Sequence, residues 1–462
     1  MKRLCVSCLF VFCALVLSVR AQALRVGASA VAITPPAEVP LAGYYYKRLS
    51  DGVLDEIYSK AVVFERDGTK AALVVVDLVT LPRAVVEAAR AEIEKQTGIP
   101  STNVMIGATH THTSPVVSDK RTRDVLDGGD TAPALRYTAS LPALIARSVN
   151  EASQRLTPVR GSAAVAREDG ISFNRRFWMR DGSVSWNPAK LDKNIIRPAG
   201  PIDPELGFLY FETPDEKPVT TIVNFALHAD TVGGTKISAD YAGQLSRLLG
   251  EYKGKEMLTL FALGACGNIN HRDVRWKDKQ KGVAESFRLG STLAGAIHRS
   301  WTHLQPLASD AIQVRSEMVK LPLAPVTEAE LAQANEVFKR ANNPQTKFME
   351  QVQTFKVLDV QMRKGQPLDV EVQVIALGKD VAFVSLPGEA FVELGLSIKL
   401  ASPFKHTFIV ELANGSIGYI PNLPAYAEGN YEVVSARCAA GSGEMLVTTA
   451  TKLLSAMFAS AK

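Results

Sequence analysis

The sequence predicts a mixed α/β fold with a large mixed β-sheet core and flanking helices. Apolar runs of strand length alternate with stretches of helical period along the whole chain. Neighbouring runs are joined by short turn signals such as Asp67-Gly68, Asp181-Gly182 and Gly378-Lys379-Asp380. The composition is 47% hydrophobic and 21% charged over 462 residues, with mean hydropathy +0.05. That balance is globular and excludes disordered, collagen-like and multi-span membrane chains.

The first 23 residues stand apart from this pattern. Lys2 and Arg3 form a basic start, residues 4–19 an apolar run, and Ala21-Gln22-Ala23 an A-x-A cleavage site. This predicts a signal peptide, residues 1–23, cut after Ala23, and a secreted or periplasmic protein. The apolar run falls short of the ~20 residues of a membrane span, so no stable span is expected after cleavage. Removing 23 of 462 residues leaves 439 and takes away Lys2, Arg3 and Arg20, so the net charge falls from +5 to +2. The basic character therefore belongs partly to the leader, and the charge gives no reason to expect nucleic-acid binding. Cys5, Cys8 and Cys13 leave as well. Cys266 and Cys438 remain, to be read either as one disulfide or as two buried thiols. Residues 24–462 contain no linker, charge block or sequence repeat, which fits one large domain or two interleaved lobes.

The elements follow in order. Residues 60–64 and 71–76 read as a hairpin, and 83–96 as a helix stopped by Gly98. Residues 103–108 read as a buried strand, 134–153 as a helix and 160–166 as a strand. Strand pairs are expected at 177–186 and at 207–212 with 219–227. Helices are expected at 241–249 and 284–301, with a strand at 257–263 between them and another at 311–321. Thr327 and Glu330 make a capping box that opens a helix. Residues 368–377 and 381–386 pair, 390–400 is a helix, 407–412 a strand, and 444–458 a closing helix.

Chemistry-bearing residues gather at strand ends. His110 and His112 follow the strand at 103–108 and, in extended chain, project to the same side. His228 ends the run 219–227. Glu389 follows the run 381–386, after Pro387-Gly388, where a first-turn helix residue is the plainer reading. Two imidazole-bearing strand ends and one carboxylate, scattered in sequence, fit a catalytic zinc site with an open position. The alternatives are a solvated His-x-His loop and a structural histidine. No H-E-x-x-H, G-x-S-x-G, Walker A or G-x-G-x-x-G motif is present.

These residues bring a family into view. The chain resembles the catalytic domain of the neutral, non-lysosomal ceramidases. The likeness is carried by Val26-Gly27, Thr34-Pro35-Pro36, Gly43-Tyr44, residues 108–115, 173–175, 224–230, 386–389 and 418–431. The resemblance implies one catalytic zinc ion held by His110, His228, Glu389 and Tyr419. It implies His112 as general base and acid, Arg175 (or its neighbour Arg176) against the reacting centre, and Tyr431 at the oxyanion or substrate. It implies hydrolysis of an N-acyl bond such as that of ceramide. Packing roles for Tyr419 and Tyr431 stay open. Cys266, in the loop 264–270, is read as a packing residue.

Two departures bear on substrate. Such ceramidases carry a further immunoglobulin-like domain, and none is expected here. The segment after Pro115 is charged up to Asp130, a poor surface for lipid entry, and reads as a solvated loop. The expected partner is a small acylated substrate. The main alternative is a zinc hydrolase of another amide or ester, an acylated sugar or a cell-wall fragment. A second alternative is a non-catalytic secreted protein that binds metal or ligand on the same scaffold.

Overall fold

Near-continuous apolar runs suit strands buried on both faces. The computed structural model builds three main sheets from them; it describes residues 23–36, 38–308, 311–343 and 345–460. The expected signal peptide, apart from Ala23, lies outside the described residues. In the first sheet β1 (Arg25–Ala32), β2 (Tyr58–Arg66) and β3 (Thr69–Val76) pair antiparallel; α1 (Arg83–Thr97) then crosses to β4 (Val104–Ala108), parallel to β3. Helix α1 ends where expected, at Gly98, whose φ of 70° only glycine adopts freely. Helix α2 (Ala132–Gln154) leads to the second sheet. There β5 (Arg160–Arg167), β6 (Glu205–Glu212) and β7 (Pro218–Phe225) pair antiparallel, and α3 (Asp240–Lys253) crosses to β8 (Leu258–Leu263), parallel to β7. Helix α4 (Val283–Ser300) follows.

The third sheet opens with β9 (Ile312–Leu321). A helix pair, α5 (Glu328–Phe338) and α6 (Phe348–Met362), precedes β10 (Leu368–Leu377) and β11 (Val381–Ser385). Strands β9, β10 and β11 pair antiparallel, and α7 (Val392–Ala401) crosses to β12 (His406–Val410), parallel to β11. Helix α8 (Ser442–Ser460) closes the described chain. The mixed α/β class is thus as expected, with its long strands divided among three main sheets of one repeating order that no sequence repeat announces, and four small sheets of two or three strands beside them among the described residues.

Strand alternation explains how the sheets meet. On β2 and β3, Ala61, Val63, Ala72, Val74 and Val76 face the helices, while Val62, Phe64, Ala71, Leu73 and Val75 face a central core. All three sheets supply that core: Phe64 lies 5.8 Å from Phe211 of the second sheet and 6.4 Å from Phe383 of the third. Each such buried ring contributes about 2–3 kcal/mol by area. With the sheets packed on one another, the carboxyl ends of their parallel pairs collect at one end of the molecule. Among the described residues no helix is long and apolar enough to cross a membrane.

One expectation needs correction, and one open reading closes. The charged segment after Pro115 is not a solvated loop. Val116, Val117, Asp124 and Asp127 are buried, Asp124 accepts from Ser118 Oγ (3.2 Å) and the Asp119 amide (3.1 Å), and Thr122 Oγ1 donates to Asp359 Oδ1 of α6 (2.6 Å). Within the segment Arg121 pairs with Asp119 and Arg123 with Asp127. Of the two readings for Cys266 and Cys438, the structure has the free thiols, in two different core clusters.

Candidate metal centre

Three strand ends supply the centre. After β4 the chain turns through His110, whose φ of 65° is left-handed, a conformation non-glycine residues adopt at a cost. The two histidines therefore do not converge by extended-strand alternation, as the sequence suggested; the turn at His110 brings them together. The turn is tied by the His110 amide to Leu78 O (2.9 Å), Thr111 Oγ1 to Ser238 O (2.6 Å) and the His112 amide to Ala229 O (3.1 Å). Gly43 lies against His112, where a Cβ would stand 2.7 Å from the His112 Cβ. Arg48 donates to His112 O at 2.8 Å and also holds Ala42 O and Gly234 O.

The imidazoles meet through their Nε2 atoms. His110 Nε2 is 3.0 Å from His228 Nε2 and 3.2 Å from His112 Nε2. His110 Nδ1 donates to Val79 O (2.8 Å) and His228 Nδ1 to Cys266 O (3.0 Å). Those bonds fix the Nδ1–H tautomers and leave both Nε2 lone pairs facing one another. Glu389 Oε2 lies 3.4 Å from His110 Nε2 and 3.4 Å from His228 Nε2, buried and without a hydrogen-bond partner among the described residues. Opposed lone pairs beside an orphaned carboxylate oxygen call for a cation. The donor set suits a divalent transition ion.

Electrostatics agree. Burial, with Arg175 and His110 nearby, pushes His228 down to about 4. Burial and His110 also hold His112 well below the ordinary imidazole range. Burial alone would raise Glu389, but the His110 and His228 imidazoles outweigh it and keep the carboxyl well below its ordinary range.

Glu389 is not a helix residue. It pairs with Tyr419 in a short parallel bridge, which sets the two side by side. The Tyr419 hydroxyl accepts from Arg175 Nη2 at 3.0 Å. Of the two arginines, Arg175 is the one at the histidines, with Nη1 3.4 Å from His228 Nε2. Arg176 turns away to Glu428 Oε2 (3.0 Å) and Glu432 Oε2 (2.9 Å). Tyr431 stands further out, its ring 5.3 Å from Tyr419, 4.4 Å from Trp186 and 5.5 Å from Phe348. Cys266 is wholly buried, and its carbonyl serves His228, a positioning part rather than a reacting one. The loop 264–270 also holds Arg175, through Gly267 O (2.6 Å) and Asn268 O (2.9 Å).

Sequence reasoning missed the supporting groups. Glu432, with no exposed surface, accepts from Arg175 Nε at 2.9 Å and from Arg176 Nη1 at 2.9 Å. Burial would lower the Arg175 guanidinium, but Tyr419 and Glu432 outweigh it and raise it well above its ordinary value. Asp230 faces His271, Oδ1 to Nδ1 3.2 Å, behind the histidines. Glu411, at the end of β12, accepts from the Cys266 amide at 2.5 Å. Adjacency was the available signal, since Glu432 follows Tyr431, and Asp230 lies two residues after His228.

A model of the family described as neutral/alkaline non-lysosomal ceramidase, N-terminal, matches residues 24–274. The neutral ceramidase of Pseudomonas aeruginosa has a similar fold, with a TM-score of 0.74 at 20% identity over 94% of this chain and 75% of that one. So does a solved ceramidase complexed with C2, with a TM-score of 0.72 at 18% identity over 93% and 75%. No curated protein sequence matches significantly. The family match spans more than half of the chain, and the protein belongs to the neutral/alkaline non-lysosomal ceramidases.

Proposed function

We propose that the protein is a secreted zinc-dependent amidohydrolase that cleaves the N-acyl bond of ceramide or a close relative. Family membership supports amide hydrolysis. The observation that carries the metal-dependent part is the convergence of the His110, His112 and His228 Nε2 atoms beside the orphaned Glu389 Oε2. His110, His228 and Glu389 would hold the ion, with Tyr419 beside Glu389 as the fourth group. When bound, it would supply Lewis acidity to an amide carbonyl and to water.

The chain's own residues do the rest. His112 is kept neutral by burial, so its Nε2 is free to take a proton from water and return it to the leaving nitrogen. Arg175, fixed on Glu432 and the Gly267 carbonyl, presents Nη1 beside the histidines to the charge that develops on the carbonyl oxygen. Tyr431 stands next to Tyr419, where a hydroxyl can contact the substrate. Secretion rests on the leader, residues 1–23.

Metal analysis of the purified protein, coupled to an acyl panel, tests the proposal. The expected result is one equivalent of zinc and hydrolysis of fluorescent short-chain ceramide, lost on chelation and in His110→Ala. Turnover of acyl esters or N-acetyl sugars with none of ceramide would move the substrate to the alternative class. Bound metal with no turnover on the whole panel would overturn the hydrolase.

A further inference from the structure

The sequence showed no apolar surface for approaching a lipid; the structure exposes apolar side chains near the metal centre's mouth. Trp276, Val283 and Phe287, in the loop before α4 and in its first turns, are 41%, 50% and 46% exposed. Val283 and Phe287 lie one turn apart on α4, and Trp276 sits beside Arg288 of the same helix. Two guanidinium groups lie near these side chains, each also paired with an acid, Arg288 with Glu285 and Arg247 with Glu251. Arg288 lies 5.6 Å from the Trp276 ring and Arg247 lies 5.8 Å from the Phe287 ring. Lys277, Lys279 and Lys281 are all exposed, against one acid, Asp278, in the same run.

The patch reaches the metal centre's mouth. Lys281 Nζ donates to the Tyr44 hydroxyl at 3.2 Å and lies 5.6 Å from its ring. Tyr44 stands edge-on to His112, ring centres 6.2 Å apart. Beyond it Tyr46 is 58% exposed and 5.6 Å from Tyr44. Aromatic side chains interleaved with lysines match a membrane interface, where rings settle at headgroup level and lysines meet anionic headgroups.

We infer that the surface formed by Trp276, Val283, Phe287 and Lys277, Lys279 and Lys281 docks the protein onto a bilayer containing anionic lipid. Docking sets the Tyr44 edge of the mouth against the membrane. Its purpose rests on the lipid-amide reading above, but docking is measurable without turnover.

Sedimentation of the mature chain with phosphatidylcholine vesicles, with and without phosphatidylglycerol, tests it. Binding should require phosphatidylglycerol and weaken as salt rises. The pairs Trp276→Ser/Phe287→Ser and Lys277→Glu/Lys279→Glu should each weaken it by about tenfold or more. Hydrolysis of a soluble short-chain ceramide should be unchanged in both pairs, while hydrolysis of vesicle-borne ceramide falls in step with binding. Equal binding to both vesicle types, no binding to either, or unaltered binding of the variants would overturn the inference. So would loss confined to the lysine pair, which marks a generic polyanion or acidic protein site. Lipid-dependent docking with no ceramide cleavage would sink the ceramidase reading and leave docking standing.

Discussion

His110 and His228 each commit Nδ1 to a backbone carbonyl and stand on buried strand ends. The rings of Tyr45, Trp186, Phe348 and Tyr431 above them come from four separate connections and hold one another largely through ring contacts. Three of those connections join the first strand of a sheet to its second, so each sheet sends one aromatic residue to the rim. On the floor, the ring Nδ1 atoms of His110 and His228 have partners; on the rim the buried Trp186 Nε1 has none among the described residues. The floor is therefore preorganised for one chemistry. On the proposed function, the rim, lying on connections, would be where substrate shape is read.

The largest effect should come from the floor. His228→Ala removes one Nε2 donor and should abolish stoichiometric metal binding. Turnover should fall by about a thousandfold or more, on the order of 4 kcal/mol. Retention of metal and activity would mean the imidazoles do not share one ion. Next comes Glu432→Gln, which leaves two buried guanidinium groups without their shared carboxylate. Chemical denaturation should show a loss of about 3 kcal/mol, since a buried charge is left unpaired. The rate should drop about 10- to 100-fold as Arg175 loses its orientation.

Rim and floor are tied through α6, and a smaller effect is expected there. Asp359 accepts from Arg437 Nε at 2.8 Å and from Thr122 Oγ1 at 2.6 Å. Arg437 in turn lies where a Cβ on Gly418, the residue before Tyr419, would stand 2.7 Å from its Nη1. Burial would raise the Asp359 carboxyl, but Arg437 and Thr122 outweigh it and hold it below its ordinary value. A carboxyl lowered in the folded state stabilises fully above its unfolded pKa and loses that contribution as pH falls below it. Asp359→Asn should therefore cost about 2 kcal/mol at neutral pH. The gap from wild type should shrink on acidification below about pH 4, as followed by denaturation at several pH values.

The same divide separates what was legible from what was not. Strand ends at 108, 227 and 386 are local patterns, apolar runs followed within three residues by His or Glu, and the three side chains they pointed to, His110, His228 and Glu389, do meet. The left-handed turn at His110 was not legible, because it is held by the tertiary contacts to Leu78 O and Val79 O and no local turn signal marks it. Helix α6 was missed because seven of its fifteen residues are buried, including Lys356 and Asp359, so polar side chains blur its apolar stripe. Glu432 carried no motif; its role exists only once Arg175 and Arg176 arrive from a segment about 256 residues earlier.

Phe348→Ala should give the smallest effect. Its ring touches Tyr45 at 5.3 Å, Tyr431 at 5.5 Å and Trp186 at 5.9 Å, and it is 39% exposed. Removing it deletes ring contacts worth about 1 kcal/mol and opens the mouth without touching the histidines. The consequence should be a roughly fivefold change in KM for a long-chain substrate, with kcat on a short soluble substrate within about twofold. A loss confined to KM keeps the rim as the place where the acyl chain is recognised. A kcat loss above about tenfold would show that Tyr431 needs Phe348 behind it to reach the reacting carbonyl, and the rim would then be part of the catalytic floor.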